Sequence, residues 1–122
     1  MTIGRSAEDY LEAILMIHER QGCVRSTDVA EQLGISKPSV SNATKRLRES
    51  EYLTTDPAGM LVLTASGMEI ASQIYARHRA LTDFFIRIGV SPEQAREDAC
   101  KIEHDISQET FEALCRYAGE QA

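Results

Sequence analysis

The sequence predicts a mainly α-helical protein in two parts: two short helices with a tight connection and a β-hairpin after them, then a region built from helices alone. Three observations carry this reading. Only Gly34-Ile35-Ser36 separates two amphipathic segments; Asp56-Pro57-Ala58-Gly59 is a turn signal between strand-like runs; and apolar residues recur at helical spacing from about Ala65 to Ile88. The expected division is 1–63 and 64–122. At 122 residues the chain suits one compact unit or two small ones sharing a core.

Taken in order, Ser6 and Asp9 have the form of a helix-starting capping box, and Leu11, Ile14, Leu15 and His18 continue at helical spacing to the Gln21-Gly22 break. Ser26 to Leu33 forms a second helix with Val29, Ala30 and Leu33 on one face, stopped by Gly34. Ser36 then caps a third helix to about Glu51, with Pro38 in its first turn and Val40, Ala43 and Leu47 inward. This is the layout of a helix-turn-helix, whose second helix enters the major groove of DNA. Leu53-Thr54-Thr55 and Met60-Leu61-Val62-Leu63 flank the turn as a hairpin, which in this position is a wing.

Thr64 caps a long helix, roughly Ala65 to Ile88, with Ile70, Ile74, Leu81, Phe84, Phe85 and Ile88 on a stripe broad enough to want a partner. Gly89 ends it. Ser91-Pro92-Glu93-Gln94 starts a fifth helix, to about Asp105, and Ser107 caps a last one with Phe111, Leu114, Cys115 and Ala118 inward, before Gly119.

Hydrophobic residues make up 43% and charged residues 26%, so the chain has the composition to fold. No apolar stretch approaches the ~20 residues of a membrane span and the first residues lack a signal core, so a cytoplasmic protein with no membrane partner is expected. Cys23, Cys100 and Cys115 are odd in number and scattered, as reduced thiols would be. The net charge of -6 is unevenly spread. Gly34 to Ser50 carries four basic residues and one acid, whereas Val90 to Ala122 carries three basic residues and eight acids. The first segment suits phosphates and the second suits cations.

A recognition helix needs small or hydrogen-bonding side chains near base edges and basic ones toward phosphates; Ser36, Lys37, Ser39, Ser41, Asn42, Lys45 and Arg46 provide them. The bland alternative is a solvated amphipathic helix. In the acidic region, Cys100, Glu103 and His104 are spaced i, i+3, i+4, which puts a thiol, a carboxylate and an imidazole on one helix face. Alone, such a trio is more often a buried cysteine beside an exposed charged pair. Asp9 and Glu12 form an acidic i, i+3 pair, with capping as the competing role for Asp9. His78, between Arg77 and Arg79, reads by itself as structural or exposed. Catalysis has no support: the sequence contains no H-E-x-x-H, G-x-S-x-G or glycine-rich phosphate motif.

Along essentially its whole length the chain resembles the diphtheria-toxin-repressor family of iron- and manganese-dependent regulators. The resemblance is carried by Ser6-Ala7-Glu8-Asp9-Tyr10-Leu11-Glu12, Val29-Ala30-Glu31-Gln32-Leu33, Pro38-Ser39-Val40-Ser41, Leu61-Val62-Leu63-Thr64, Arg77-His78-Arg79 and Glu97 to His104. It implies a winged helix-turn-helix DNA-binding domain followed by a helical dimerisation and metal-binding domain. In length the chain is similar to the short manganese-regulator branch and too short for the SH3-like module of some members.

The resemblance also implies metal-ligand roles for Asp9, Glu12, His78, Cys100, Glu103 and His104. Cys100 resembles the iron-responsive branch and Asp9 the manganese branch, so the implied site is a hybrid; Thr82 and Arg96 stand where iron-type relatives place ancillary ligands. A thiolate favours Fe(II) over Mn(II), and Co(II), Ni(II) and Zn(II) should bind in vitro by the general affinity order. The expected function is a metal-dependent repressor. An ion joining helix 1 to helix 5 locks a homodimer on palindromic operator DNA, with activation weakening as pH falls because ligands must be deprotonated. The alternatives are a metal-independent regulator sensing oxidants through Cys100, a small metal-dependent hydrolase, and a metal-storage or scaffold dimer.

Overall fold

The computed structural model describes residues 4–120. Its elements follow in the order α1 (Arg5–Gln21), α2 (Ser26–Leu33), α3 (Lys37–Glu49), β1 (Leu53–Thr55), β2 (Leu61–Leu63), α4 (Ala65–Arg87), α5 (Pro92–Ile102) and α6 (Gln108–Glu120). Contacts divide the chain into two compact units, Met1–Gln73 and Ile74–Ala122.

In the first unit α1 packs on α2, α3 and β2. Leu11, Ile14, Ile17, Val24, Val29 and Val40 are almost fully buried, with Leu47, Leu53 and Leu61 beside them in the core. Helical spacing puts Leu11, Ile14 and Ile17 on one face of α1, and Leu53 and Leu61 are the buried residues of the two strands. Two glycines end helices in the left-handed conformation: Gly22 (φ 83°) after α1 and Gly34 (φ 66°) after α2. Ser36 caps α3, its Oγ accepting from the Ser39 amide at 3.3 Å. Thr44, absent from the predicted stripe, is buried because its hydroxyl donates to the Ser41 carbonyl at 3.1 Å and needs no water.

The hairpin pairs Leu53 with Leu63, Thr54 with Val62 and Thr55 with Leu61, antiparallel. The Leu61 amide also donates to the Val24 carbonyl at 2.8 Å, tying the hairpin to the end of the α1–α2 connection. Its turn is organised by Asp56. Oδ1 accepts from the amides of Ala58 and Met60, both at 2.9 Å, while the Asp56 carbonyl accepts from Gly59. Behind the hairpin, Thr64 Oγ1 donates to the Glu51 carbonyl at 2.7 Å and accepts from the Gly67 amide at 3.2 Å, which starts α4.

In the second unit, Gly89 (φ 109°) ends the turn after α4, and the Val90 amide donates to the Phe85 carbonyl. Ser91 caps α5 with Pro92 in its first turn, and Ser107 Oγ accepts from the Thr110 amide at 3.0 Å to open α6. Ile74, Leu81, Ala95 and Ala99 are buried, whereas Ile86, Ile88 and Tyr117 are exposed. Arg87 Nη2 donates to the Ala118 carbonyl at 3.1 Å, tying the end of α4 to the last turn of α6.

Three expectations about helix ends are corrected. The capping box of Ser6 with Asp9 does not form: α1 begins at Arg5 after an extended Gly4, with no side-chain cap, so Asp9 lies in the helix body. The fifth helix stops at Ile102 rather than near Asp105, Glu103 being its C-cap residue. Conversely α6 runs through Gly119 to Glu120, because a glycine weakens a helix by only ~1 kcal/mol and does not by itself end one.

Candidate metal centre and nucleic-acid interface

On α3, one side is committed to the core through Val40, Ala43, Thr44 and Leu47. All seven predicted contact residues, Ser36, Lys37, Ser39, Ser41, Asn42, Lys45 and Arg46, are exposed. They divide by what they already do. Ser36 and Ser39 hold each other, Oγ to Oγ at 2.8 Å, at the helix start. Ser41, Asn42 and Lys45 follow within the next two turns, where hydrogen-bonding side chains on a recognition helix reach base edges. Arg46 borders a largely apolar groove lined also by Ala7, Tyr10, Ala43, Leu47 and Tyr52, and its guanidinium is of the kind that meets phosphates.

In the second unit the structure brings together His78 of α4 with Glu103 and His104 of the turn after α5. His78 Nδ1 lies 2.9 Å from Glu103 Oε2, and His104 Nε2 lies 3.4 Å from Glu103 Oε1. The side chains of Glu103 and His104 are buried, at 0% and 1% exposure, and that of His78 is 15% exposed. A carboxylate so enclosed is stable only when its charge is balanced. Glu103 Oε1 has no hydrogen-bond partner among the described residues. His78 and His104 flank this carboxylate on its two oxygens, and their nitrogen and oxygen atoms are of the donor kinds that divalent transition metals take.

The other predicted ligands are placed as follows. Asp9 is half-buried and Glu12 buried, three residues apart on α1. Cys100 is exposed on α5 one turn before His104, and like Cys23 and Cys115 it is in no disulfide. Thr82, one turn along α4 from His78, has a buried hydroxyl without a hydrogen-bond partner among the described residues.

Sequence reasoning missed Arg77. From α4 its Nη1 donates to the carbonyls of Glu103 (3.1 Å) and Ile106 (2.9 Å), and its Nη2 to Gln108 Oε1 (2.7 Å). Its guanidinium carbon stands 5.4 Å from the centre of the Phe111 ring. These partners lie 26 to 31 residues away along the chain for the hydrogen bonds, so no local spacing could point to them.

A winged helix-turn-helix with an exposed polar and basic second helix is thus followed in the same chain by helices that enclose a His–Glu–His cluster. Residues 2–61 match the iron dependent repressor N-terminal DNA binding domain, and residues 64–121 match the iron dependent repressor metal binding and dimerisation domain. The transcriptional regulator MntR of Escherichia coli O6:H1 is 38% identical over 107 residues, covering 88% of this chain and 69% of that protein. The manganese regulator SloR shares the fold with a TM-score of 0.81 at 28% identity, over 98% of this chain and 55% of that one. A manganese-dependent transcriptional repressor in complex with manganese gives 0.85 at 28% identity, over 93% of this chain and 52% of that one. The chain thus spans about half the length of these solved structures. It belongs to the iron-dependent repressor family of iron- and manganese-dependent transcriptional regulators. No helix among the described residues is long and apolar enough to cross a membrane.

Proposed function

We propose that this chain is a metal-activated, homodimeric repressor of the cytoplasm, a regulator and not an enzyme, that binds a palindromic operator controlling metal homeostasis. The observation that carries this reading is the buried Glu103 carboxylate set between His78 and His104 with one oxygen unsatisfied. Its ligands are His78, Glu103 and His104, to which family resemblance adds Asp9, Glu12 and Cys100. The ion would supply positive charge beside the buried carboxylate. Cys100 among the ligands favours Fe(II), with Mn(II) next; the nitrogen and oxygen donors accept either.

The DNA-facing residues are Ser36, Lys37, Ser39, Ser41, Asn42, Lys45 and Arg46, of which Ser41, Asn42 and Lys45 read bases and Arg46 meets phosphate. Exposed Ile86, Ile88 and Tyr117 in the helical unit support a self-association surface. A ligand moves such a switch only by differential binding, and going from roughly 1:99 to 99:1 takes about 5.5 kcal/mol of preference for the DNA-competent state. Several charged ligands on one divalent ion can supply that.

The test is the affinity for a promoter palindrome, read by fluorescence anisotropy with anaerobic Fe(II), with Mn(II) and with chelator. Metal-dependent tightening is expected; equal affinity in all three overturns the reading. The exposure of Cys100 favours one second reading, a thiol that senses oxidants. In that case Cys100→Ser abolishes a peroxide response of DNA binding and leaves the response to divalent metal intact.

A further inference from the structure

We propose that Arg77 is the positioning residue of the metal centre: by tying down the backbone of the α5–α6 turn it sets where Glu103 and His104 stand relative to His78. The inference rests on the reading of His78, Glu103 and His104 as ligands.

The need for such a residue follows from where α5 ends. Glu103 is the C-cap residue and His104 and Asp105 are in a turn, so the ligand-bearing backbone lacks the continuous hydrogen-bond ladder of a helix. Carbonyls at a helix end must find other donors when they are enclosed. Here the Glu103 and Ile106 carbonyls share one donor group, Arg77 Nη1, and Nη2 holds Gln108 at the start of α6. Both ends of the turn are thus fixed to one planar fork, and the fork is held over the Phe111 ring.

The neighbouring side chain completes the arrangement. His78 meets the Glu103 carboxylate at 2.9 Å while Arg77 meets the Glu103 carbonyl at 3.1 Å. Adjacent residues of α4 therefore hold one ligand by its side chain and by its main chain. A rotation of the turn that moved the carboxylate would have to break the Arg77 bonds first. Lysine replaces this function only in part: one ammonium lacks the rigid spread of donors that reaches two carbonyls and an amide oxygen at once.

Arg77→Met, Arg77→Lys, Glu103→Gln and Leu81→Ala would be compared with the parent for Mn(II) affinity, for the Co(II) d–d absorption spectrum and for thermal midpoint without metal. Groups that orient ligands typically cost 10- to 100-fold in metal affinity when removed. The expected result is a loss of about tenfold or more for Arg77→Met with an altered Co(II) spectrum, and partial recovery in Arg77→Lys. Leu81→Ala, a core truncation in the same unit, lowers the midpoint yet keeps affinity and spectrum. Should Arg77→Met fail to fold, Arg77→Lys decides by the same two metal readouts. Parent-like affinity and spectrum in the folded Arg77 variant, with binding lost in Glu103→Gln, overturn the positioning role alone. Parent-like binding in Glu103→Gln overturns the metal-centre reading itself.

Discussion

The carbonyl of Tyr52 occupies the space that a side chain at Gly67 would need: a Cβ there would fall onto the oxygen, 3.0 Å from the carbonyl carbon and 3.4 Å from Leu63 Cδ2. The first turn of α4 therefore approaches the base of the hairpin as closely as backbone can, helped by Thr64, whose amide donates to the same Tyr52 carbonyl at 3.2 Å. Gly67→Ala should destabilise by roughly 2 kcal/mol or more, since the obstacle is backbone rather than a movable side chain. Thermal unfolding of the metal-free protein would show it, and an unchanged midpoint would mean the junction yields without cost.

A second expectation concerns the buried carboxylate. Glu103→Gln keeps the shape and removes the charge, so metal affinity should fall by about 100-fold or more, beyond what loss of an orienting neighbour costs. Without metal the variant should be at least as stable as the parent, because an enclosed charge is costly to hold. Chemical denaturation in chelator and a metal titration would separate the two effects. A variant that binds metal normally contradicts the first, and one that unfolds earlier contradicts the second.

On α3, the two kinds of contact should be separable by salt. Arg46→Ala should weaken binding similarly for all sequences and lower the steepness of the salt dependence by about one counterion. Asn42→Ala should instead relax discrimination at one base pair, by about 1–3 kcal/mol, with the salt dependence unchanged. Anisotropy titrations of metal-loaded protein against the operator and single-base variants, at several salt concentrations, would distinguish them.

For Cys100, replacement by serine should reduce Fe(II) affinity more than Mn(II) affinity, because losing a soft donor costs the metal that tolerates sulfur better. Anaerobic competition titrations measure the ratio directly. No change for either ion would remove Cys100 from the ligand set.

Much of this architecture was legible because it is local. Ser26 to Leu33 was bounded by the Gly34 stop, α3 by Ser36 and Pro38, α5 at its start by Ser91 and Pro92, and the hairpin by Asp56 to Gly59; each signal acts within four residues. At two of the three displaced helix ends a local signal points the wrong way. Ser6 and Asp9 have the spacing of a capping box, but the helix had already begun at Arg5, and Gly119 looks like a terminator yet stands within α6.

The cluster of His78, Glu103 and His104 shows the same limit. Glu103 and His104 could be singled out from spacing, but His78, read alone, could not be joined to them, since 25 residues separate it from Glu103. Resemblance to a family bridged that gap. Nothing bridged it for Arg77, whose three acceptors become neighbours only after folding.

The Asp56 turn has a consequence for association. Asp56→Ala would remove the acceptor shared by the Ala58 and Met60 amides, at about 0.5–1.5 kcal/mol for each bond. In the native chain that shared acceptor settles the shape of the hairpin tip before any partner arrives. Ordering a loose loop on contact would subtract conformational entropy from every encounter. A tip folded by its own carboxylate enters the encounter with that entropy already lost, so its contribution to association is set by fit rather than by how readily it can be ordered.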